Sequence, residues 1–390
     1  MIAVIADDLT GAAELGGIGL RHGLSVEINM EVNRATKAAL LVIAADTRSM
    51  GEEAAIREME RLTRQLILLE PDWIYKKVDS VLRGHVVAEI SAQLNASGLG
   101  RALLVPANPS LGRTILDETY FLNGAPVHRS HFSVDPEFPI TDSDIRKMLR
   151  VSRELVVIKK IGQQLPAEGI IVGEVQDEAG LAAWAAYVDG GTLAAGAAGF
   201  FSAILAARRP MGARLSEPPA MGRPRVFVYG STFGKSREMI RKIKEGGGPV
   251  SYMPRAIGIT EDETASEIES WGAEVVALLR THGKAIIAIG EEMSGEAGAA
   301  ATKVGGTARF LRERMAALVQ RVLQEQRVGE LLIEGGATAY AILRRAGLPI
   351  FFPEQEIAPG VIRMRVEGGS GLYVTVKPGS YNWPDFIYND

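Results

Sequence analysis

Residues 2–14 read Ile-Ala-Val-Ile-Ala-Asp-Asp-Leu-Thr-Gly-Ala-Ala-Glu, an apolar run followed by two aspartates and a helical pattern. Continuous apolar runs are typical of buried parallel strands, and open α/β sheets bind ligands at the carboxyl ends of their strands. Asp7 and Asp8 stand at that position. A single aspartate there is also a common helix cap. Two adjacent carboxylates are costly to bury unless they bind donors, a cation or a substrate, so the pair indicates a ligand site.

The composition narrows the classes of function. At about 150 residues per domain, a chain of 390 residues suggests two or three domains. With 43 Lys plus Arg against 47 Asp plus Glu, the net charge is −4, and we expect no nucleic-acid partner. The chain has 0 Cys, which excludes disulfides, thiolate catalysis and Cys-built metal sites. We find no signal-peptide pattern and no apolar run of the ~20 residues that span a bilayer, so we expect a cytoplasmic protein without a membrane partner.

Strand and helix patterns alternate through the first part of the chain. Strands are predicted at residues 2–6, 25–29, 39–44, 73–76 and 102–105, with helices at 10–22, 52–68 and 86–95 between them. This order predicts a parallel sheet flanked by helices. Near residues 119–139 the pattern changes to aromatic and β-branched residues around Asn123-Gly124, which predicts a hairpin.

A Pro- and Gly-rich stretch without an apolar period, residues 208–224, is typical of a linker. The alternation restarts after it and ends in a predicted antiparallel pair at 360–366 and 372–377. We therefore predict two α/β domains joined near residue 218, each with a largely parallel sheet flanked by helices. The active site is expected in the cleft between the domains.

Polar residues follow each predicted strand of the first domain. Because the carboxyl ends of parallel strands share one edge of a sheet, these side chains should converge. Arginine forks a carboxylate and aspartate accepts from hydroxyls, so the mixed set suits a small, polyhydroxylated, anionic ligand. Any one of these arginines is also readily explained as a solvated loop residue or a structural ion pair, and the prediction depends on the whole set. The set is Asp7, Asp8, Asp46, Arg48, Lys77, Asp79, Ser80, Arg83, Asn108 and Arg113.

Glycine turns follow several predicted strands of the second domain. Residues 230–236 read Gly-Ser-Thr-Phe-Gly-Lys-Ser, which is one residue shorter than a Walker A loop, so we do not favour a true P-loop. Residues 334–338 read Glu-Gly-Gly-Ala-Thr, and residues 377–380 read Lys-Pro-Gly-Ser. Such turns present backbone amides and hydroxyls at helix starts, where anions bind. Together they predict a nucleotide pocket built from backbone.

Three further segments carry a family resemblance. Residues 5–12, Ile-Ala-Asp-Asp-Leu-Thr-Gly-Ala, resemble the opening signature of the four-carbon acid sugar kinases. Residues 76–84, Lys-Lys-Val-Asp-Ser-Val-Leu-Arg-Gly, are similar to that family's K-x-D-S-T-L-R-G-N, with Val81 and His85 replacing Thr and Asn. Residues 106–114, Pro-Ala-Asn-Pro-Ser-Leu-Gly-Arg-Thr, are similar to its P-A-F-P-x-x-G-R-T. The glycine turns match its C-terminal elements except at Ala337 and Pro378, so the resemblance covers essentially the whole chain.

The resemblance implies ATP-dependent phosphorylation of a hydroxyl on a threonate, an erythronate or an oxo-tetronate. Residues 1–218 would bind the sugar acid and residues 219–390 the nucleotide. We expect Mg²⁺ to accompany ATP, held largely by phosphates and waters, with its protein ligands unknown. By position, the resemblance implies nucleotide contacts at Ser231, Gly335, Gly336, Ala337, Thr338 and Gly379.

Phosphoryl transfer needs a positioned acceptor hydroxyl and neutralised charge. As catalytic residues we expect Asp8 or Asp79 to orient or deprotonate the hydroxyl and Lys77 to offset phosphate charge. Arg48 or Arg83 would pair with the substrate carboxylate, and Asp7 or Asp8 would bind its hydroxyls.

Two other functions remain alternatives. A non-catalytic sugar-acid sensor needs only the N-terminal residues, and the intact glycine turns argue against it. A P-loop-like NTPase is less favoured because of the loop length. The expected partners are a sugar acid and ATP, and a homo-oligomer is left open.

Overall fold

The computed structural model describes residues 1–135, 138–151, 155–209, 220–230, 234–255, 257, 265–290, 306–368 and 371–388. The chain forms two compact units, Met1–Arg214 and Leu215–Asp390. The predicted boundary near residue 218 lies outside the described residues. Each unit contains a mostly parallel sheet with helices, which confirms the predicted fold class.

The first unit begins with the predicted strand. Its strands are β1 (Ile2–Ala6), β2 (Val26–Asn29), β3 (Leu40–Ala44), β4 (Trp73–Lys77), β5 (Arg101–Val105), β6 (Arg113–Leu116), β7 (Thr119–Leu122), β8 (Ala125–Pro126), β9 (Val156–Lys159), β10 (Gly169–Gly173) and β11 (Thr192–Gly196). Its α-helices are α1 (Leu9–Arg21), α2 (Glu52–Ile67), α3 (Val86–Ser97), α4 (Ile145–Leu149), α5 (Glu178–Ala185) and α6 (Ala198–Arg208). Short 3₁₀ helices cover Thr47–Ser49, Pro109–Leu111, Val127–Arg129 and His131–Val134.

The main sheet of the first unit has the strand order β2-β3-β1-β4-β11-β5-β10-β9, and each neighbouring pair is parallel. Strand β1 lies inside the sheet and is buried along its whole length, as its continuous apolar run predicts. In the register, Ala6 is opposite both Ala44 of β3 and Lys77 of β4. The loops that follow these three strands therefore start at one edge of the sheet.

A hydrophobic cluster fixes this register. One face of β1 and β3 packs against α2 and α3, and the cluster includes Ala3, Ile5, Leu41, Ile43, Met59, Leu62, Leu66 and Ala92. Burying a Leu, Ile or Met side chain contributes about 1.5–3 kcal/mol relative to leaving it exposed. A one-residue slip would turn these side chains to the opposite face, so the core also determines which polar residues reach the edge.

The predicted hairpin is confirmed as part of a separate three-stranded antiparallel sheet, β6-β7-β8. Asn123 and Gly124 join β7 to β8 with φ angles of 51° and 78°. Positive φ at both positions is what a type I′ hairpin turn requires, and Asn-Gly is its preferred pair. Residues 113–135 comprise this small sheet and the 3₁₀ turns after it, and we call them the hairpin segment.

The second unit repeats the α/β plan and ends differently. Its strands are β12 (Arg225–Tyr229), β13 (Val250–Tyr252), β14 (Lys284–Ala288), β15 (Glu330–Glu334), β16 (Ile350–Ala358), β17 (Val361–Val366) and β18 (Tyr373–Lys377). Its helices are α7 (Gly234–Glu245), α8 (Ala265–His282), α9 (Gly306–Glu325), α10 (Gly336–Arg345) and the 3₁₀ helix Asp385–Tyr388. Within the unit the order is β13-β14-β12-β15-β18-β17-β16.

The neighbouring strands β13-β14-β12-β15-β18 are parallel to one another. The pairs β18-β17 and β17-β16 are antiparallel. The predicted terminal antiparallel pair is confirmed as β17 and β18. Tyr229, Glu334 and Lys377 lie side by side at the carboxyl ends of β12, β15 and β18. None of the helices in the described part of the chain has the length and apolar character that a membrane crossing needs.

Candidate functional site

The first site element is the turn between β1 and α1, where Asp8 caps the helix. Asp8 Oδ1 accepts a hydrogen bond from the Gly11 amide at 2.8 Å, and Asp8 Oδ2 accepts one from Thr10 Oγ1 at 2.7 Å. The cap thus explains the local sequence Asp-Asp-Leu-Thr-Gly. Capping does not exhaust the role of this aspartate, because Asp8 Oδ2 also faces a cation.

That cation is Arg48, which follows β3. Its Nε and Nη2 donate to Asp7 Oδ2 at 2.9 and 2.7 Å, and its Nη1 lies 3.4 Å from Asp8 Oδ2. Arg48 Nη2 is also 3.7 Å from Asp79 Oδ1. The Asp8 side chain is 12% exposed, against 4% for Asp7 and 7% for Asp79. Asp8 is therefore the carboxylate of the three that most readily meets a ligand.

Lys77 ends β4, and its side chain lies next to Gly11 of this turn. Its Nζ donates to the Val78 carbonyl at 2.8 Å. A Cβ on residue 11 would lie 2.6 Å from Asp8 Oδ1 and 3.0 Å from Lys77 Nζ. Gly11 therefore leaves the room that both the Asp8 carboxylate and the Lys77 ammonium occupy next to this turn.

Asp79 and Arg83 form the next layer of the site. Asp79 Oδ2 accepts from the amides of Val81 and Arg83 at 3.1 Å each and from Arg83 Nε at 2.9 Å, and Asp79 Oδ1 accepts from Arg83 Nη2 at 2.8 Å. Gly84 has a φ of 90°, and a Cβ there would lie 3.2 Å from Arg48 Cγ. Asp79 thus holds the turn that carries the Arg-Gly pair against Arg48. We call Asp7, Asp8, Arg48, Lys77, Asp79 and Arg83 the aspartate cluster.

The hairpin segment adds Arg113 to the edge of the aspartate cluster. Arg113 Nη1 donates to Ser80 Oγ at 2.6 Å, and the guanidinium groups of Arg113 and Arg83 lie 5.6 and 5.3 Å from the centroid of the Phe132 ring. Arg83 Nη1 also donates to Asp135 Oδ2 at 2.7 Å. Among the described residues no carboxylate forms an ion pair with Arg113, and its buried Nε has no hydrogen-bond partner.

Two other predicted substrate residues make contacts within their own loops. Asp46 Oδ1 accepts from Ser49 Oγ at 3.1 Å, and Asn108 Oδ1 accepts from Ser110 Oγ at 2.8 Å. Asn108 also exchanges backbone hydrogen bonds with Arg113 at 2.8 and 3.0 Å. Ion pairs and hydrogen bonds thus link five of the ten predicted residues, Asp7, Asp8, Arg48, Asp79 and Arg83. Ser80 and Arg113 contact each other, and Asn108 supports Arg113 through the backbone.

The charges of the aspartate cluster determine how its carboxylates titrate. Burial raises the pKa of Asp8, but Arg48, Lys77 and the hydrogen bonds from Thr10 and Gly11 outweigh burial and hold that pKa below its ordinary value. Burial likewise raises the pKa of Asp79, and the charges of Arg83, Arg48 and Lys77 with the Arg83 hydrogen bonds bring it well below the ordinary range. Both carboxylates are ionised at neutral pH and are weak proton acceptors.

The lowered pKa of Asp79 predicts a pH dependence of stability. Since the folded-state pKa lies below the unfolded-state pKa, this carboxylate contributes to the unfolding free energy above the unfolded-state value and loses that contribution as the pH falls through the folded-state value. When the pH is lowered from about 6 to about 3, the unfolding free energy of the unaltered chain should fall by on the order of 1 kcal/mol more than that of Asp79→Asn. Urea titrations at both pH values measure the difference, and parallel losses in the two proteins would contradict it.

The second unit assembles its glycine turns at the carboxyl ends of β12, β15 and β18. Gly335 has a φ of 96° and donates its amide to the Lys377 carbonyl at 2.9 Å. Gly336 then begins α10, and Thr338 in its first turn is buried. A Cβ on Gly230 would lie 2.2 Å from Thr338 Oγ1, so this glycine allows the turn after β12 to lie against the start of α10. Such a helix start presents amides to an anion.

The remaining predicted nucleotide residues are placed only in part. Ser231 lies outside the described residues. Ala337 is half-buried in the first turn of α10, and Gly379 stands in the turn after β18, where the Tyr381 amide donates to the Pro378 carbonyl at 3.1 Å. Among the described residues, no group of three or more His, Asp or Glu side chains is arranged to hold a metal ion.

Sequence reasoning missed a buried contact beside these turns. Glu334 Oε2 accepts from Lys377 Nζ at 2.6 Å and from Ser236 Oγ at 2.8 Å. The Glu334 and Lys377 side chains are 0% and 1% exposed. The available signal in the sequence was Glu334, a charged residue that directly follows the apolar residues 331–333. We call Ser236, Glu334 and Lys377 the Glu334 triad.

Comparison with known proteins identifies both units. The sugar-binding N-terminal domain family matches residues 2–204, and the nucleotide-binding C-terminal domain family matches residues 226–386. A D-threonate kinase from Salmonella typhimurium strain LT2 is 26% identical over 91% of this chain and 89% of its own length. A 3-oxo-tetronate kinase from Pseudomonas fluorescens is 26% identical over 99% of this chain and 95% of its own. The chain belongs to the four-carbon acid sugar kinase family.

A solved structure supports the fold of this sugar kinase family member. The protein described as a putative tRNA synthase from Salmonella typhimurium LT2 superposes with a TM-score of 0.74 over 98% of this chain and 96% of that one, at 17% identity. At that identity the likeness concerns the fold alone. The family match places the aspartate cluster in the sugar-binding domain and the Glu334 triad in the nucleotide-binding domain.

Proposed function

We propose that this family member is an ATP-dependent kinase that phosphorylates a hydroxyl of a four-carbon sugar acid, such as a threonate, an erythronate or an oxo-tetronate. The observation that carries the proposal is the buried aspartate cluster at one edge of the sugar-binding domain, in a chain that also has a nucleotide-binding domain. Carboxylates beside guanidinium groups suit a ligand with both hydroxyls and a carboxylate.

Arg113 is the best candidate for the substrate carboxylate. Arg48 is occupied by Asp7 and Asp8, and Arg83 by Asp79 and Asp135, whereas Arg113 has no carboxylate partner among the described residues. The Phe132 ring beneath Arg113 and the Ser80 hydroxyl beside it hold the guanidinium in place. A substrate carboxylate bound to Arg113 would give this guanidinium the anionic partner that Arg48 and Arg83 already have.

Asp8 is the best candidate for the residue that orients the acceptor hydroxyl. Its side chain is the most exposed of the three cluster aspartates, and its lowered pKa makes it a hydrogen-bond acceptor more than a strong base. That suits phosphoryl transfer, which passes through a loose transition state and depends on positioning and charge stabilisation. Asp79 has four donors on its two oxygens and in this proposal positions Arg83. Lys77, beside Asp8, would offset charge on the transferred phosphoryl group.

The phosphate donor would be Mg·ATP, bound at the start of α10 by the Gly335–Gly336 turn and Thr338, with Ser231, Ala337 and Gly379 as further contacts. Mg²⁺ prefers phosphate and water oxygens with one or two carboxylates, so it would arrive as part of this substrate. An active site between the domains, a cytoplasmic location and the absence of a nucleic-acid partner stay predictions.

A coupled assay of ADP release tests the proposal directly. With Mg·ATP, we expect release above background for at least one isomer of threonate, erythronate or 3-oxo-tetronate. Three-carbon and six-carbon acids such as glycerate and gluconate serve as controls and should give little release, because the carboxylate and hydroxyl would not reach Arg113 and Asp8 together. Release that is independent of every four-carbon acid would overturn the proposal.

A further inference from the structure

The Glu334 triad joins three segments of the nucleotide-binding domain at one carboxylate oxygen. Glu334 ends β15, Lys377 ends the neighbouring parallel strand β18, and Ser236 lies in the first turn of α7. Both the lysine ammonium and the serine hydroxyl donate to Glu334 Oε2. Lys377 Nζ also donates to the Pro378 carbonyl at 3.2 Å and lies 5.4 Å from the centroid of the Trp383 ring.

Two members of the triad adjoin turns that are proposed to bind the nucleotide, and the third lies at the start of a helix. Glu334 directly precedes Gly335, and Lys377 comes two residues before Gly379. Ser236 lies in the first turn of α7, six residues after Gly230. These three segments are far apart in sequence, and the Glu334 carboxylate is a side-chain contact that they share. The Gly335 amide adds a backbone bond to the Lys377 carbonyl at 2.9 Å.

Because the Glu334–Lys377 ion pair is buried, it is sensitive to the loss of a charge. Since Glu334 and Lys377 are both nearly inaccessible to solvent, loss of the Glu334 charge leaves the Lys377 ammonium buried without the carboxylate that it contacts. Burial lowers the pKa of Lys377, and Glu334 counteracts that effect, so the ammonium depends on this partner for its charge. A buried pair of this kind tolerates little displacement of the segments that carry it.

We propose that Glu334 is a positioning residue that fixes the Gly335–Gly336 turn, the turn at Gly379 and the start of α7 relative to one another and thereby sets the affinity for ATP. The inference rests on the proposed function, because it assigns the ligand of these turns as Mg·ATP. The inference does not involve the sugar-acid site. Removal of the Glu334 charge should therefore weaken nucleotide binding and leave sugar-acid binding unchanged.

The experiment compares Glu334→Gln, Ser236→Ala and Ser236→Thr with the unaltered full-length chain. Calorimetry with a magnesium complex of a non-hydrolysable ATP analogue gives Kd, and steady-state assays give KM for each substrate. For Glu334→Gln we expect Kd for the analogue to rise about tenfold, with KM for ATP rising and KM for the acid unchanged. Ser236→Ala should raise Kd by a smaller factor, and Ser236→Thr, which keeps the hydroxyl, should restore it.

Glu330 provides a matched control on the same strand. It begins β15, is fully buried, and accepts from Arg363 Nη2 at 3.0 Å and Thr375 Oγ1 at 2.7 Å, at the end of the strand away from the glycine turns. Glu330→Gln should lower the melting temperature as Glu334→Gln does, yet leave the analogue Kd of the folded protein unchanged.

The outcomes separate the two proposals. If the unaltered chain binds no analogue, the proposed function is overturned and the inference with it. If the unaltered chain binds the analogue and Glu334→Gln binds it equally well, the inference alone is wrong. Equal weakening by Glu334→Gln and Glu330→Gln would also overturn it, because general destabilisation would then explain both losses.

Discussion

Replacing Asp8 with asparagine is expected to lower kcat by about 10²–10³-fold while the Kd for an ATP analogue stays nearly the same. The amide oxygen of the variant can still accept from the Gly11 amide, so α1 keeps its cap. What disappears is the negative charge that faces Arg48 and Lys77 and that would hold the acceptor hydroxyl. Single-turnover assays with saturating acid measure the effect on the chemical step. Near-normal turnover would contradict the proposal that Asp8 orients the acceptor hydroxyl.

A second capping aspartate of the same domain makes this test specific. Asp177 caps α5, and its Oδ1 accepts from the Gly180 amide at 2.8 Å, as Asp8 does from Gly11. Asp177→Asn should leave kcat unchanged. Asp8→Ala removes cap and charge together, and its extra loss of unfolding free energy relative to Asp8→Asn should be about 1 kcal/mol. The three variants separate the capping role of Asp8 from its charge.

Replacing Arg48 with methionine is expected to cost about 3–5 kcal/mol of unfolding free energy, because it leaves buried carboxylates without their partner. Asp7 loses two hydrogen bonds, and Asp8 and Asp79 lose the cation that lies between them. We also expect sugar-acid binding to be lost, since the aspartate cluster cannot keep its arrangement. Urea unfolding measures the first effect and calorimetry with the acid the second.

Two other arginines provide the comparison for Arg48. Arg61 pairs with Glu58 and Glu31 on the surface, and Arg61→Met should cost no more than about 1 kcal/mol. Arg113→Met should raise KM for the acid with a smaller loss of stability, because Arg113 has no carboxylate partner among the described residues. A stability loss for Arg48→Met as small as that for Arg61→Met would show that the aspartate cluster does not depend on this ion pair.

The edge of the first sheet could be predicted from sequence because local pattern and topology agree there. The apolar run at residues 2–6 predicts β1, and parallel pairing brings the residues after β1, β3 and β4 to one place. The side-chain partners were not predictable. From the sequence we expected Arg48 or Arg83 to pair with the substrate carboxylate, and only the three-dimensional contacts show that both already have carboxylate partners.

Two features of the second unit escaped sequence reasoning for a physical reason. No strand was predicted where β16 lies, because this segment contains Pro353 and two glutamates. The structure places a register shift between Pro353 and Gln355, where a proline is tolerated. Glu334 and Lys377 are far apart in sequence, and their contact depends on the parallel pairing of β15 with β18. Non-local register of this kind cannot be read from a single chain segment.

The hairpin segment separates the residues proposed to bind the acid from those proposed to assist phosphoryl transfer. Arg113 and Phe132 both belong to it, whereas Asp8 and Lys77 adjoin strands of the main sheet. In the proposed roles, the part that selects the acid is an appendage and the part that performs phosphoryl transfer is scaffold. Substitutions in the appendage therefore offer evolution a way to exchange one acid for another without rebuilding the chemistry.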